Sequence, residues 1–268
     1  MGKKFIQERG RFYHKVTIEP RKSNVLENKK PIEKQFLPKN PINPELRKPQ
    51  NLSKEEQPIQ YQHKNLYAKI DKIEKIFEGE TVYIIGGGPS LKGFDFKKLN
   101  DKKVIAINKA FLFYPEATIL YWTDQRFYQW YGKEIHEFKG LKITNKPKPN
   151  SGDIINLQDT GREGLDLNPS AIRHGNNSGY AAINVAIHFG FKKLVLLGYD
   201  MELQGNKSHW HEGYQIPHND KIYQTSMLPS FPSLVEPLTK LGITVWNACP
   251  TSKLDCFPKC TIEQSLLK

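Results

Sequence analysis

Thr81-Val-Tyr-Ile-Ile85 runs directly into Gly86-Gly87-Gly88-Pro89-Ser90-Leu91. The first five residues are a short, β-branched apolar run of the kind that makes a buried parallel strand. Three glycines then allow the backbone to turn sharply and to approach a phosphate with no Cβ in the way. Pro89 suits the first turn of a following helix, whose unbonded amides would form an anion site. A tight strand-to-helix connection that binds nothing would use the same glycines.

Outward from this unit, further apolar runs follow at the spacing of a doubly wound sheet. Lys103-Val-Ile-Ala-Ile-Asn108, Ala117-Thr-Ile-Leu-Tyr-Trp122 with Thr123-Asp124, Lys193-Leu-Val-Leu-Leu197 with Gly198-Tyr199-Asp200, and Ile243-Thr-Val-Trp246 with Asn247 each end on small or polar residues. In open α/β sheets ligands bind beyond the carboxyl ends of the strands, so Gly87, Asn108, Thr123, Asp124, Asp200 and Asn247 are expected to converge there. Any one of them would also serve as a helix cap or turn residue. Asn176-Asn177-Ser178-Gly179-Tyr180 precedes a helix with a small-residue face (Ala181, Ala182, Val185, Ala186, Phe189). Ser178 is read as its N-cap, giving a second polar helix start at the same edge, alongside Asn177 and Gly179. Leu66, Ile70, Ile73, Ile76 and Phe77 recur at helical spacing, with Gly79 as a stop, and predict a helix before the first strand. The fold expected is α/β, Rossmann-like and doubly wound, with a mainly parallel sheet over residues 66–268.

Residues 1–65 read differently. They hold 15 Lys/Arg against 7 Asp/Glu, which leaves 25 against 21 for the rest of a 268-residue chain whose net charge is +12. Seven prolines interrupt any period, so the stretch reads as an extended basic arm that cannot bury enough surface to fold alone. Its expected partner is a polyanion such as DNA, or the neighbouring subunits of a large assembly. No run of ~18 apolar residues suggests a bilayer span, and the basic opening MGKKFIQERGRFYHK lacks the apolar stretch of a secretory signal. Three cysteines, Cys249, Cys256 and Cys260, match no strong zinc spacing and read as buried thiols of a reducing compartment. The expected location is cytoplasmic, that of a host cell for a phage-encoded protein, or a virion.

After Asp200 comes a long polar stretch, MELQGNKSHWHEGYQIPHNDKIY, without periodicity, and long loops of this kind are usually functional or disordered. It carries His209, His211 and His218 together with Trp210, Tyr214 and Tyr223. A histidine near its intrinsic pKa can act as a general base and a tyrosine hydroxyl can hold a phosphate. His209 and His211 could instead ligate a metal, completed by Glu212 or His218, or all three could be plain surface residues.

Taken in order, GGGPSL, AIN108, NNSGYAA, LLGYD and VWNACPTSKLDCFP resemble the bacterial sialyltransferases of the Campylobacter type. They are also similar to the wider group of phage and archaeal proteins related to the pterin pyrophosphokinase with this Rossmann-like core. The resemblance spans about residues 81–262. It implies that Gly88, Asn108 and Thr123 line the nucleotide, with Ser178 and Gly179 against the donor sugar or phosphate; Gly86, Gly87, Ser90, Asp124, Asn177 and Asp200, read from the glycine loop, the strand ends and the helix start, complete the candidate nucleotide-binding set. It further implies that a histidine of the loop after Asp200 is the base. In those enzymes the first loop reads Gly-Asn-Gly-Pro-Ser and its Asn contacts CMP, whereas this chain has Gly87 there. Tyr214 and Tyr223 stand as substitutes for the family's phosphate-binding tyrosines. The implied activity is a nucleotide-dependent transferase, foremost a glycosyltransferase using a CMP- or UDP-linked sugar, with ATP as donor for a pyrophosphoryl transfer. The contrasting expectation is a structural or assembly component that keeps the fold, since fold does not imply function.

Overall fold

The computed structural model describes residues 71–146, 153–211 and 219–267. The arm read over 1–65 lies outside them.

Among the described residues, a sheet of seven parallel strands organises the domain. The first strand, β1 (Thr81–Ile85), lies inside the sheet with a neighbour on each side, as its apolar run demands. It is followed by β2 (Lys103–Ile107), the short helix α1 (Ala110–Phe113), β3 (Ile119–Trp122), α2 (Gln125–Glu137), β4 (Leu141–Thr144) and β5 (Ile154–Asn156). Two-residue strands β6 (Gln158–Asp159) and β7 (Ala171–Ile172) pair apart from the main sheet. The chain then enters α3 (Ser178–His188) and returns to the other side of β1 as β8 (Lys193–Leu197). Beyond come α4 (Asp220–Ile222), α5 (Val235–Lys240), the edge strand β9 (Thr244–Asn247) and α6 (Ile262–Leu266). The main sheet runs in the order β5-β4-β3-β2-β1-β8-β9, and the reversal between β1 and β8 is the topological switch at which such sheets open a crevice.

Alternation along each strand sorts the core into two layers. Val82, Ile84, Ile105, Leu194 and Leu196 face α3, while Tyr83, Ile85, Val104, Ala106, Val195 and Leu197 share a layer with residues of α1 and α2. Both faces are covered, which is why β1 and β8 read as continuous apolar runs. From Tyr180 to His188 every residue of α3 is buried, polar Asn184 included. Asn184 is satisfied by its surroundings: its Oδ1 accepts from the amides of Asp166 and Arg173, and its Nδ2 donates to Asp166 O at 2.9 Å.

Four readings need correction. Residues 71–75 have no helix and 76–79 form a turn, because the donors go elsewhere: the amides of Asp71, Ile73 and Phe77 donate to the carbonyls of Asn156, Pro169 and Phe189. Ile73 and Phe77 are apolar anchors of an extended segment, not one face of a helix. Pro89 begins only a single tight turn, Pro89–Leu91. The cap of α3 is Asn177, whose side chain accepts from the Tyr180 amide at 2.7 Å, not Ser178. Asn247 is fully buried and its Nδ2 faces Tyr199 O, so it does not reach the crevice.

His188 ends α3 in the core, with Nε2 2.7 Å from the Ala171 carbonyl. Burial pushes its pKa below the ordinary value. An unfolded histidine takes up its proton near pH ~6.5 and the folded one only in more acidic solution. The unfolded state therefore binds more protons between those limits, and stability is lost as pH falls below about 6.5. His188→Gln is expected to flatten that slope, read as the difference in melting temperature between wild type and variant from pH 7 to 5.

Candidate functional site

The carboxyl ends of β1, β2, β3 and β8 surround a cavity of about 250 Å³. Its walls include Gly86, Gly87, Gly88, Asn108, Thr123, Asp124, Asn177, Ser178, Gly179, His209 and His211, all expected from sequence, together with Tyr223. The sequence reading missed Ile107, Asn176, Gly198, Tyr199, Met201, Ser208 and Met227 in the same walls. For Asn176 and Ser208 a signal was present, since they adjoin the Asn-Ser turn and the first histidine; Met201 and Met227 carry none. His218 and Tyr214, with Glu212, lie outside the described residues.

Ser90 and Asp200 are not in the walls, and they explain each other. The Ser90 amide donates to Asp200 Oδ1 and the Ser90 hydroxyl to Oδ2, both at 2.7 Å. A carboxylate of the protein thus occupies the turn where an external anion was expected. Asp200 is 1% exposed, and burial raises its pKa despite those donors. The glycine loop is similarly occupied: the amides of Gly86 and Gly88 donate to Leu197 O and Gly198 O at 2.8 Å.

Its carbonyls are taken by Trp210. The Trp210 amide donates to Gly87 O and the indole Nε1 to Gly86 O, each at 3.0 Å. The indole also packs against Phe96 and Phe113, with ring centroids 5.1 and 4.7 Å away. This clamp sets the loop from Asp200 across the first strand's end and places His209 against Gly87. A Cβ on Gly87 would lie 2.5 Å from His209 Cδ2. An Asn side chain, as in the resembled enzymes, would claim the space that His209 fills here. Since the colliding group is the end of a side chain that can rotate away, Gly87→Ala is expected to keep the melting temperature while displacing His209. A changed His209 imidazole resonance beside an unchanged unfolding curve checks this.

On the opposite wall, the amides of Tyr180 and Ala181 are taken by Asn177, which leaves those of Ser178 and Gly179 at the start of α3. Ser178 Oγ lies 2.8 Å from Thr123 Oγ1 and accepts from Asn108 Nδ2 at 3.5 Å. Two of the strand-end residues expected to converge, Asn108 and Thr123, do so on one hydroxyl. Asn108 Oδ1 is buried with no hydrogen-bond partner. Asp124, at the mouth, is held below the usual carboxylate range chiefly by its hydrogen bonds to the Arg126 side chain, at 2.7 and 3.0 Å.

Among the described residues, four non-glycine residues have left-handed backbone, and three of them line this cavity: Asn108 (φ +50°), Asn176 (φ +60°) and Met201 (φ +55°). Each such residue costs on the order of 1 kcal/mol, and strain of this kind collects where a fold maintains a site.

No family model, no curated protein and no solved structure matches the chain.

Among the described residues no three His, Cys, Asp or Glu side chains group as metal ligands, and no helix is long and apolar enough to cross a membrane. Cys249 and Cys260 are buried, and burial pushes the Cys256 thiol up to about 11.

Proposed function

We propose that the cavity binds a nucleotide-linked donor and that the protein is a glycosyltransferase using a histidine base. The observation that carries this reading is the buried, unpartnered Asn108 Oδ1 on a strained backbone just past β2, the strand beside β1 at the sheet's switch. A buried acceptor left unmade costs about 1–3 kcal/mol, which a ligand hydroxyl or amino group would recover. Beside it, Thr123 Oγ1, Ser178 Oγ and the first amides of α3 offer donors for a phosphate, and the helix dipole favours the charge that develops there as the phosphate departs. A histidine on the facing wall would accept the proton of the acceptor hydroxyl.

The charge of the walls narrows the donor class. Among the described residues that line the cavity there is no lysine or arginine, and Asp124 is acidic. Neutral donors suit the single charge of a sugar joined through one phosphate better than the greater charge of a diphosphate. A CMP-linked sugar is therefore preferred over a UDP-linked one or ATP.

Titration calorimetry with CMP, UDP and ATP tests the reading: binding of CMP ahead of the others is expected, and no binding of any at millimolar concentration would overturn it. Asn108→Gly separates a binding residue from a structural one: glycine takes the φ of +50° without strain, so stability should change by no more than about 1 kcal/mol, while CMP affinity falls about 10-fold, the worth of one recovered hydrogen bond.

A further inference from the structure

We propose that Ser208 is a positioning residue that makes His209, and not His211, the base of the reaction proposed above. The inference rests on that reading and adds to it a residue that neither composition nor motif singled out.

Ser208 Oγ lies 2.7 Å from His209 Nδ1, and both residues line the cavity, as does His211. Ser208 is itself held, because the Tyr223 hydroxyl donates to its carbonyl at 3.4 Å and Trp210, two residues on, is fixed by its two bonds to the glycine loop. The imidazole thereby turns its Cδ2–Nε2 edge toward Gly87, and a Cβ there would be 3.1 Å from Nε2. His211 is placed otherwise: its ring stacks on Phe113 at 5.3 Å and 19° and meets Trp210 edge-on at 5.0 Å.

A neutral imidazole has one protonated nitrogen, and the bond made by the other decides which. If Nδ1–H donates to Ser208 Oγ, the lone pair resides on Nε2 at the cavity side. Nε2 then takes the proton of the acceptor hydroxyl as the acceptor oxygen bonds to the donor's anomeric carbon. The bond from that carbon to the phosphate oxygen breaks, and its electron pair leaves with the nucleoside phosphate. The resulting imidazolium keeps its Nδ1–H bond to Ser208, now strengthened by charge. A hydroxyl serves here in the orienting role for which a carboxylate is often used.

The test uses the full chain labelled with 15N-histidine. Long-range 1H–15N correlation spectra should show neutral His209 as the Nδ1–H tautomer, and Ser208→Ala should move it toward Nε2–H. In CMP release from a CMP-linked sugar, Ser208→Ala should lower kcat about 10-fold with KM for the donor unchanged, Ser208→Thr should restore it, and His209→Asn should lower kcat at least 100-fold. An Nε2–H tautomer in the wild type overturns the role of Ser208 whether or not nucleotide binds. Loss of turnover in His211→Asn but not in His209→Asn overturns the choice of base while leaving the transferase reading intact. Failure of the wild type to bind CMP, UDP or ATP instead removes the transferase reading itself, and the catalytic role with it.

Discussion

Gly88→Ala is expected to destabilise the protein by about 3 kcal/mol or more, the upper range for overpacking a close-packed site. The reason is space and not backbone freedom. Gly88 has φ −62° and ψ +147°, which any residue adopts. Its added Cβ, however, would overlap the Asp200 carboxylate and lie 2.6 Å from Gly198 O. Neither can yield. The carboxylate is fastened to Ser90 by two hydrogen bonds, and the Gly198 carbonyl accepts from the Gly88 amide itself. Gly79 supplies the contrast: it has φ +82° with nothing within 4 Å of an added Cβ, so Gly79→Ala should cost only the left-handed strain of roughly 1 kcal/mol. Urea unfolding of both variants, compared at constant m, checks the pair.

On the transferase reading, Trp210→Ala should lower turnover about 100-fold, although the indole takes no part in bond making. Misplacing reacting groups by about 1 Å is enough to cost that much. The substitution removes the Nε1 bond to Gly86 O and the packing on Phe96 and Phe113, so His209 no longer has a fixed place against Gly87. Trp210→Phe keeps most of the packing and loses one hydrogen bond, worth about 1 kcal/mol. Its kcat should fall between those of wild type and Trp210→Ala, with donor affinity little changed in either. Equal kcat in all three would show that the loop is positioned by something else.

Much of this architecture was legible in the sequence because the central strands are buried on both faces. β1 and β8 begin and end where their apolar runs do. The β4–β5 side of the sheet was not legible: β4 carries Lys142, which reads as surface yet is buried and reaches Asp153 at 3.1 Å, and β5 has three residues. Leu66 and Ile70 lie outside the described residues; from Asp71 on spacing misled, since apolar residues at helical intervals look the same whether their amides bond within a helix or to distant carbonyls. Of the strand-end residues expected to converge, Gly87, Asn108, Thr123 and Asp124 line the cavity, while Asp200 and Asn247 do not. Local sequence could not separate them. What distinguishes Asp200 is Ser90, a partner 110 positions away, and what distinguishes Asn247 is the carbonyl of Tyr199 beside it.

Tyr180 to His188 of α3 are buried without exception, and that has a thermodynamic consequence for its first turn. The donors of Ser178 and Gly179 are attached to an element that cannot shift without opening the core, so they meet a ligand already ordered and lose almost no freedom on binding. The ordering entropy of recognition falls on the histidine-bearing wall opposite. Amide exchange at Tyr180–His188 should accordingly be slow and the same with or without nucleotide, while any protection gained on binding should appear between Met201 and His211.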